Sequence, residues 1–134
     1  MIYADSGVMI RWVEGERSVR DPIEMRWRQL PPQERGFVAS RLALLECRCK
    51  PLRESRTDLL HLYDIFFASR EVEIRGIDAA VVERATQLRA TGGLKTPDAI
   101  HVATAMLAGA TAFWTTDARL AKCPGLAVEV FRAV

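Results

Sequence analysis

Residues 94–105, LKTPDAIHVATA, have the pattern of a helix start followed by a buried helix face. Thr96 suits the N-cap, and Pro97 suits the first helical position, where its missing N–H costs nothing. Gly109 is expected to end the helix. Apolar residues at helical spacing between these ends predict one buried stripe, made up of Ala99, Val102, Ala103, Met106 and Leu107.

Asp98 falls in the first turn of this helix and outside the buried stripe. The positive end of the helix dipole and the unpaired N–H groups there favour its ionised form. Asp98 is therefore either a capping carboxylate with a purely structural role or part of a site. The helix alone leaves both interpretations open.

The composition favours one globular domain spanning residues 1–134, because 49% of the 134 residues are hydrophobic. The chain has neither a long apolar run nor the basic start of a signal peptide, so a cytoplasmic location without membrane contact is expected. Cys47, Cys49 and Cys123 cannot all pair and are expected to be reduced. The net charge of +2 does not by itself indicate nucleic-acid binding.

Two apolar segments end in an acidic residue. Residues 2–4 predict a strand that delivers Asp5 at its carboxyl end, and residues 111–116 predict a strand that delivers Asp117. Open α/β sheets bind ligands outside the carboxyl ends of their strands, so both acids are in useful places. A turn-forming aspartate before Gly7 is the alternative for Asp5.

Glu46 is a third acid in an unusual position. A helix is expected after a short strand at residues 37–39, and an apolar stripe is predicted at Leu42, Leu45, Glu46 and Cys49. A carboxylate that faces a core is costly unless a partner or a cation receives it. A buried ion pair with an arginine is the competing explanation.

The remaining elements alternate in type. They are a helix from Asp21-Pro22 with Ile23, Trp27 and Leu30 inward, an amphipathic segment at 55–68, a strand at 72–77, a helix from an Asp78 N-cap to Gly92-Gly93, and a strand at 127–131. Alternating strands and helices predict a mainly parallel sheet covered on both faces, in a three-layer α/β domain.

If these elements meet at one sheet edge, their acids converge and need protons or a cation for neutralisation. Mg²⁺ or Mn²⁺ prefers such oxygens and can polarise a phosphodiester and activate a bound water. No side-chain nucleophile is then required, and Ser6 lacks a triad context. His101 is expected to pack or hydrogen-bond at the helix surface rather than act as a general base.

The ordered set of acidic motifs resembles the PIN domain, specifically the VapC-type toxin nucleases of toxin–antitoxin pairs. It consists of Asp5, LALLECRCKPLR around Glu46, KTPDAIHVATA with Asp98, and TTD with Asp117. The resemblance covers essentially the whole chain. It implies a three-layer α/β domain with a twisted, mainly parallel sheet of about five strands flanked by helices. It also implies a Mg²⁺- or Mn²⁺-dependent endoribonuclease that forms a homodimer and is inhibited by a small antitoxin.

The resemblance also assigns roles to individual residues. Asp5, Glu46 and Asp98 match the acids of the family's metal site, and Asp117 matches a fourth acid used directly or through water. Thr115 matches a hydroxyl residue two places before that acid. One or two ions held by these acids would orient a water for attack on RNA.

The chain departs from the family pattern at Gly7, where relatives often have Ser, Thr or Asn. Ser6 is an alternative source of the missing hydroxyl. Sixteen of the nineteen basic residues are arginines, which suit phosphate but equally suit carboxylates. Arg11 and Arg41 are predicted to contact RNA or the antitoxin.

Two other functions remain open. A PIN-type RNA-processing nuclease without a toxin role would share every site residue. A phosphate-accepting receiver, or a catalytically silent Mg²⁺-binding or interaction domain, would use the acids only to hold the ion. The receiver is disfavoured because Ser6 follows Asp5 where a paired acid is expected, and Lys122 lies outside any predicted strand.

Overall fold

A computed structural model describes residues 1–132 of the chain. Five strands and six α-helices lie within that range. In chain order they are β1 (Ile2–Ala4), α1 (Ser6–Glu14), α2 (Arg17–Gln29), β2 (Phe37–Ser40), α3 (Arg41–Arg53), α4 (Thr57–Phe67), β3 (Val72–Arg75), α5 (Ala79–Gly92), α6 (Thr96–Ala108), β4 (Ala112–Thr115) and β5 (Val128–Val130). In this part of the chain no helix is long and apolar enough to cross a membrane.

The five strands form one parallel sheet in the order β3-β2-β1-β4-β5. The central strand, β1, pairs with β2 and β4 at once, with Tyr3 opposite Val38 on one side and Phe113 on the other. A parallel sheet is normally buried on both faces, and here helices cover both. The prediction of a three-layer α/β domain with a mainly parallel sheet of about five strands is confirmed.

Strand alternation sends neighbouring side chains into two different cores. On one face, Ile2, Phe37 and Trp114 pack against residues of α1, α2, α3 and α4. On the other face, Tyr3, Val38 and Phe113 pack against α6, which in turn packs on α5. Each strand therefore contributes to both layers of helices.

The strand order reverses between β1 and β4, because the chain moves outward from β1 to β3 and then returns to the other side of β1. In open α/β sheets the crevice at such a reversal, outside the carboxyl ends of the strands, is the usual ligand site. Asp5 directly follows β1, and Asp117 lies two residues after β4. Both acids are therefore at this crevice.

Two predicted helix starts are wrong by one or a few residues. α6 begins at Thr96 with Lys95 as its N-cap, so Pro97 occupies the second helical position rather than the first. α2 begins at Arg17, and Pro22 lies inside it. Pro22 is exposed, so water can satisfy the carbonyl that its missing N–H leaves unbonded.

The predicted stripe of α3 is also wrong. Leu45 is 63% exposed and Cys49 is exposed, whereas Ala43, Cys47 and Pro51 form the buried face. Small residues at this spacing let α3 pack closely, and the larger leucines are left at its surface. Glu46 therefore lies at the margin of the buried face, with 29% of its side chain exposed.

In α6, the predicted stripe holds for Ala99, Val102 and Ala103, which are buried, but Leu107 is 43% exposed. His101 is buried on this helix as well. Gly109 ends the helix with a positive φ of 67°, as predicted, and the Asp78 cap of α5 is also confirmed.

A glycine is required at the start of α1 because this helix approaches the end of β4 closely. A Cβ on Gly7 would overlap Thr116 Oγ1 and lie 3.3 Å from both Cβ and Cγ2 of that residue. We expect Gly7→Ala to destabilise the fold, since overpacking of about 1–3 kcal/mol exceeds the gain in helix propensity of about 0.5–1 kcal/mol. Urea unfolding measures the difference.

Thr116→Ala supplies the matched background for this measurement. Removing the hydroxyl relieves the principal overlap, so Gly7→Ala should cost much less in that background. An equal cost in both backgrounds would show that the contact with Thr116 is not the reason for the glycine.

Candidate functional site

Asp5 connects three elements at the sheet reversal. It follows β1 and is the N-cap of α1, where Oδ1 accepts a hydrogen bond of 3.0 Å from the Val8 N–H. The Thr115 hydroxyl, at the end of β4, donates to Oδ2. The predicted position at a strand end is thus confirmed, and Asp5 is also a helix cap. Each carboxylate oxygen has one fixed donor and retains further lone pairs.

Thr115 also orients the segment after β4, because its Oγ1 accepts a hydrogen bond of 3.0 Å from the Asp117 N–H. The Asp117 carboxylate itself is bound by Arg119, with 3.0 Å from Nε to Oδ1 and 2.6 Å from an Nη to Oδ2. This ion pair holds the pKa of Asp117 below its ordinary value. Asp117 therefore lies at the crevice with its charge already paired.

Glu46 reaches the crevice from α3. Its Oε1 accepts two hydrogen bonds of 2.6 Å, one from the Ser6 hydroxyl and one from Nε2 of His101. The arginine partner that sequence reasoning left open is not the one found: a histidine and a serine receive this carboxylate. Ser6 supplies a side-chain hydroxyl to the site, as predicted for it because Gly7 has no side chain.

His101 is the residue that sequence reasoning placed wrongly. It does form hydrogen bonds, but it is 4% exposed rather than at the helix surface, and its Nδ1 lies 2.6 Å from the Tyr3 hydroxyl. The small residues around it on α6 allow the ring to sit close to β1. Tyr3 has no sequence signal for a role at the site, because strand alternation predicts only that it lies on the face opposite Ile2 and Ala4.

Asp98 lies in the first turn of α6, where it is half-buried. Asp5, Glu46 and Asp98 are together called the acidic group. Burial raises the pKa of Asp5, and the charge of Asp98 raises it further, while the hydrogen bond from Thr115 opposes the shift. Asp5 and Asp98 therefore lie close enough to interact through their charges, and Glu46 reaches the same crevice through its bond to Ser6, the residue that follows Asp5.

Glu46 experiences the opposite balance. Burial alone would raise its pKa, but the hydrogen bonds from His101 and Ser6 outweigh burial, and the pKa of Glu46 is lowered. Two neighbouring carboxylates are therefore shifted in opposite directions, an arrangement common at functional sites.

The carboxylate oxygens of these acids are chemically suited to bind a hard divalent cation. Carboxylate oxygens are the preferred ligands of Mg²⁺, and Asp5 lies close enough to Asp98 for the charge of Asp98 to raise the pKa of Asp5. Within residues 1–132, however, no three His, Cys, Asp or Glu side chains stand close enough together to form a ready-made metal group. Mg²⁺ often keeps several waters and uses only one or two carboxylates, so a complete protein shell is not required.

The two arginines predicted to contact RNA or an antitoxin differ in their surroundings. Arg11 donates from Nη1 to the Phe131 carbonyl at 2.7 Å, which ties α1 to the segment after β5. Arg41 is the first residue of α3 and is exposed. Their contact with a ligand stays a prediction.

Asp5→Asn should stabilise the metal-free protein at neutral pH, by roughly 0.5–2 kcal/mol. The asparagine keeps the cap on Val8 and removes a desolvated charge. Because the pKa of Asp5 is raised on folding, the ionised form costs stability above that pKa. The advantage of Asn over Asp should therefore shrink as the pH falls through the raised pKa and vanish below the unfolded value.

Thermal unfolding of both proteins in chelator across the acid range tests this expectation. Asp78→Asn, at another helix N-cap, is the matched control and should show no such gain. A less stable Asp5→Asn protein at neutral pH would contradict the expectation.

Comparison with known proteins places these observations in a family. The family model for the PIN domain matches residues 2–126. No match of significance was found among curated proteins.

Several solved structures have a similar fold. A toxin–antitoxin complex from Klebsiella pneumoniae is 24% identical with a TM-score of 0.73, covering 100% of both chains. VapBC2 from Rickettsia felis, bound to a DNA fragment from its promoter, is 18% identical with a TM-score of 0.73, covering 98% of this chain and 99% of that one. Mycobacterium tuberculosis VapC20, a Sarcin-Ricin loop cleaving toxin, is 16% identical with a TM-score of 0.66, covering 84% and 87%. These identities establish likeness of fold, and together with the match over residues 2–126 they lead to one conclusion: the chain belongs to the PIN-domain family.

Proposed function

We propose that this protein is a metal-dependent endoribonuclease that acts as the toxin of a toxin–antitoxin pair. The observation that carries the proposal is the set of acids at the sheet reversal, in which Asp5 and Asp98 repel each other and Glu46 is held ionised. Membership of the PIN-domain family and the toxins among the similar structures support it.

Asp5, Glu46 and Asp98 would hold Mg²⁺ or Mn²⁺, with Asp117 assisting directly or through water. When bound, the ion would supply charge neutralisation for the phosphodiester and a more acidic water for its hydrolysis. Asp5 is oriented for this role by Thr115 and the Val8 N–H, on opposite oxygens.

The side chains of the crevice favour a water nucleophile over a covalent one. The Ser6 hydroxyl donates a hydrogen bond to Glu46 and not to a histidine that could act as its base. Burial raises the pKa of the neighbouring Cys47 thiol to about 12, so this sulfur stays protonated at neutral pH.

Asp117 is available for an assisting role because its partner, Arg119, lies at the protein surface where an incoming ligand can reach it. The Arg119 side chain is 69% exposed, and water and salt screen ion pairs at the surface. An incoming phosphate would compete for the same guanidinium, which would release the Asp117 carboxylate.

A partner antitoxin, an RNA substrate and a homodimer complete the proposal. Large apolar side chains on α3 and α4 are exposed, including Leu45, Leu52 and Ile65 at 63%, 68% and 57%. Contiguous exposed apolar surface commonly marks a protein interface, which supports at least one protein partner. Arg11 and Arg41 are the arginines proposed to contact RNA or the antitoxin.

We expect the purified protein to cut total cellular RNA into discrete fragments in Mg²⁺ or Mn²⁺ and to lose this activity in chelator. Asp98→Asn should abolish most of the cleavage, by roughly a hundredfold or more, because a ligand charge is removed. Denaturing gel electrophoresis with a time course measures the rates.

Asp78→Asn is the control, since it also neutralises an acid at a helix N-terminus but lies outside the acidic group. Cleavage by the Asp98→Asn protein at the wild-type rate would remove Asp98 from the site. A folded protein that binds Mn²⁺ but cuts no RNA would favour the silent interaction domain.

The toxin role is separable from RNA processing, which would use the same residues. We expect induced expression of this chain alone in a bacterial host to stop growth, and expression of the Asp98→Asn variant to leave growth unchanged. Colony counts after induction provide the measurement. Unaffected growth with an active nuclease would favour the RNA-processing role.

A further inference from the structure

One chain of hydrogen bonds links the central strand of the sheet to the acidic group. The Tyr3 hydroxyl on β1 contacts Nδ1 of His101 on α6, and Nε2 of the same ring contacts Oε1 of Glu46 on α3, both at 2.6 Å. Ser6 on α1 ends the chain at the same oxygen, also at 2.6 Å. Elements distant in sequence meet here, since Tyr3 and His101 are 98 positions apart.

The direction of these bonds follows from the chemistry of their groups. An ionised carboxylate only accepts hydrogen bonds, so Nε2 of His101 must carry the proton that it shares with Glu46. In the neutral ring Nδ1 then accepts, and the Tyr3 hydroxyl donates to it. Glu46 therefore selects the tautomer of His101, and the Tyr3 hydroxyl holds the ring by donating to the bare Nδ1.

The two donors on Glu46 share one oxygen and leave the other unoccupied. Oε1 receives both Ser6 and His101, whereas Oε2 accepts no hydrogen bond from residues 1–132. A glutamate side chain loses considerable rotamer freedom when it is fixed, and here that loss occurs on folding rather than on ligand binding. Glu46 is thus presented with one oxygen anchored and one free.

We propose that His101 is a positioning residue, held by Tyr3, that fixes Glu46 so that Oε2 is the oxygen offered to the divalent cation. This inference rests on the proposed function for the identity of the ligand. Partners that orient metal-binding carboxylates typically change metal affinity by about 10–100-fold when removed. A histidine with a purely structural role would need only its buried packing and the bond to Tyr3.

A pair of amide substitutions separates the two bonds of the ring. In His101→Gln the amide nitrogen can occupy the place of Nε2 and donate to Glu46, while the bond to Tyr3 is lost. In His101→Asn the amide can occupy the place of Nδ1 and bind Tyr3, while Glu46 loses its donor. His61→Gln, at an exposed histidine on α4, is the matched control.

Calorimetric titration with Mn²⁺ alone, without RNA, gives a readout independent of cleavage. We expect His101→Asn to weaken Mn²⁺ binding by about 10–100-fold, His101→Gln to recover most of this loss, and His61→Gln to bind as the wild type does. Equal affinities for the Asn and Gln variants would overturn the positioning role alone. A wild-type protein that binds no Mn²⁺ would overturn the metal-dependent function, and this role with it.

A second measurement needs no substitution that risks the fold. ¹⁵N NMR of the histidine rings in the metal-free wild-type protein, at mildly alkaline pH, distinguishes a protonated from a bare ring nitrogen. We expect His101 to carry its proton on Nε2 and to have a bare Nδ1, with His61→Gln used to assign the signals. A proton on Nδ1 with a bare Nε2 would overturn the proposal, whatever the titrations give.

Discussion

The contact between the end of β1 and the end of β4 is the constraint on which the crevice depends. The Thr115 hydroxyl binds Asp5, the Asp5 N–H donates to the Trp114 carbonyl at 3.1 Å, and the start of α1 packs on Thr116. These contacts occur where the strand order reverses, so the two strand ends cannot separate without opening the sheet at its centre. The position of Asp5, and with it the cap of α1, follows from this junction.

The acidic group shows how a fold can hold an unfavourable charge in place. Asp5 is desolvated and lies in the field of Asp98, while its neighbour Glu46 is stabilised as an anion by His101 and Ser6. Packing in the two cores offsets the free energy that is lost by burying this charge. In one of them, aromatic rings such as Trp27, Phe37 and Trp114 pack together. A site that favours an external cation is in this way compatible with a stable chain.

Most of the fold and part of the site could be predicted from patterns of residues that are close in sequence. The strands that end near Asp5 and Asp117, the acidic first turn of α6 and its terminating glycine could be predicted because each depends on residues close in sequence. The stripe of α3 could not, because small residues such as Ala43 and Cys47 decided which face is buried. The link from Tyr3 to His101 has no local signal, since it exists only once β1 and α6 are packed. The charge pairing of Asp117 is different, since Arg119 lies only two residues further along the chain and the conformation of the short turn after β4 brings the two together.

The tight approach of α1 to β4 also restricts which sequences can share this geometry. A side chain at position 7 and the threonine at position 116 compete for one space, since the Thr116 Cβ and Cγ2 would each lie 3.3 Å from an added Cβ. The two positions therefore form a coupled pair in which a substitution at one changes what the other tolerates. A chain with a hydroxyl or amide residue at position 7 would need either a smaller partner residue or a helix displaced from the strand. Covariation between these two positions is the evolutionary trace that this packing would leave.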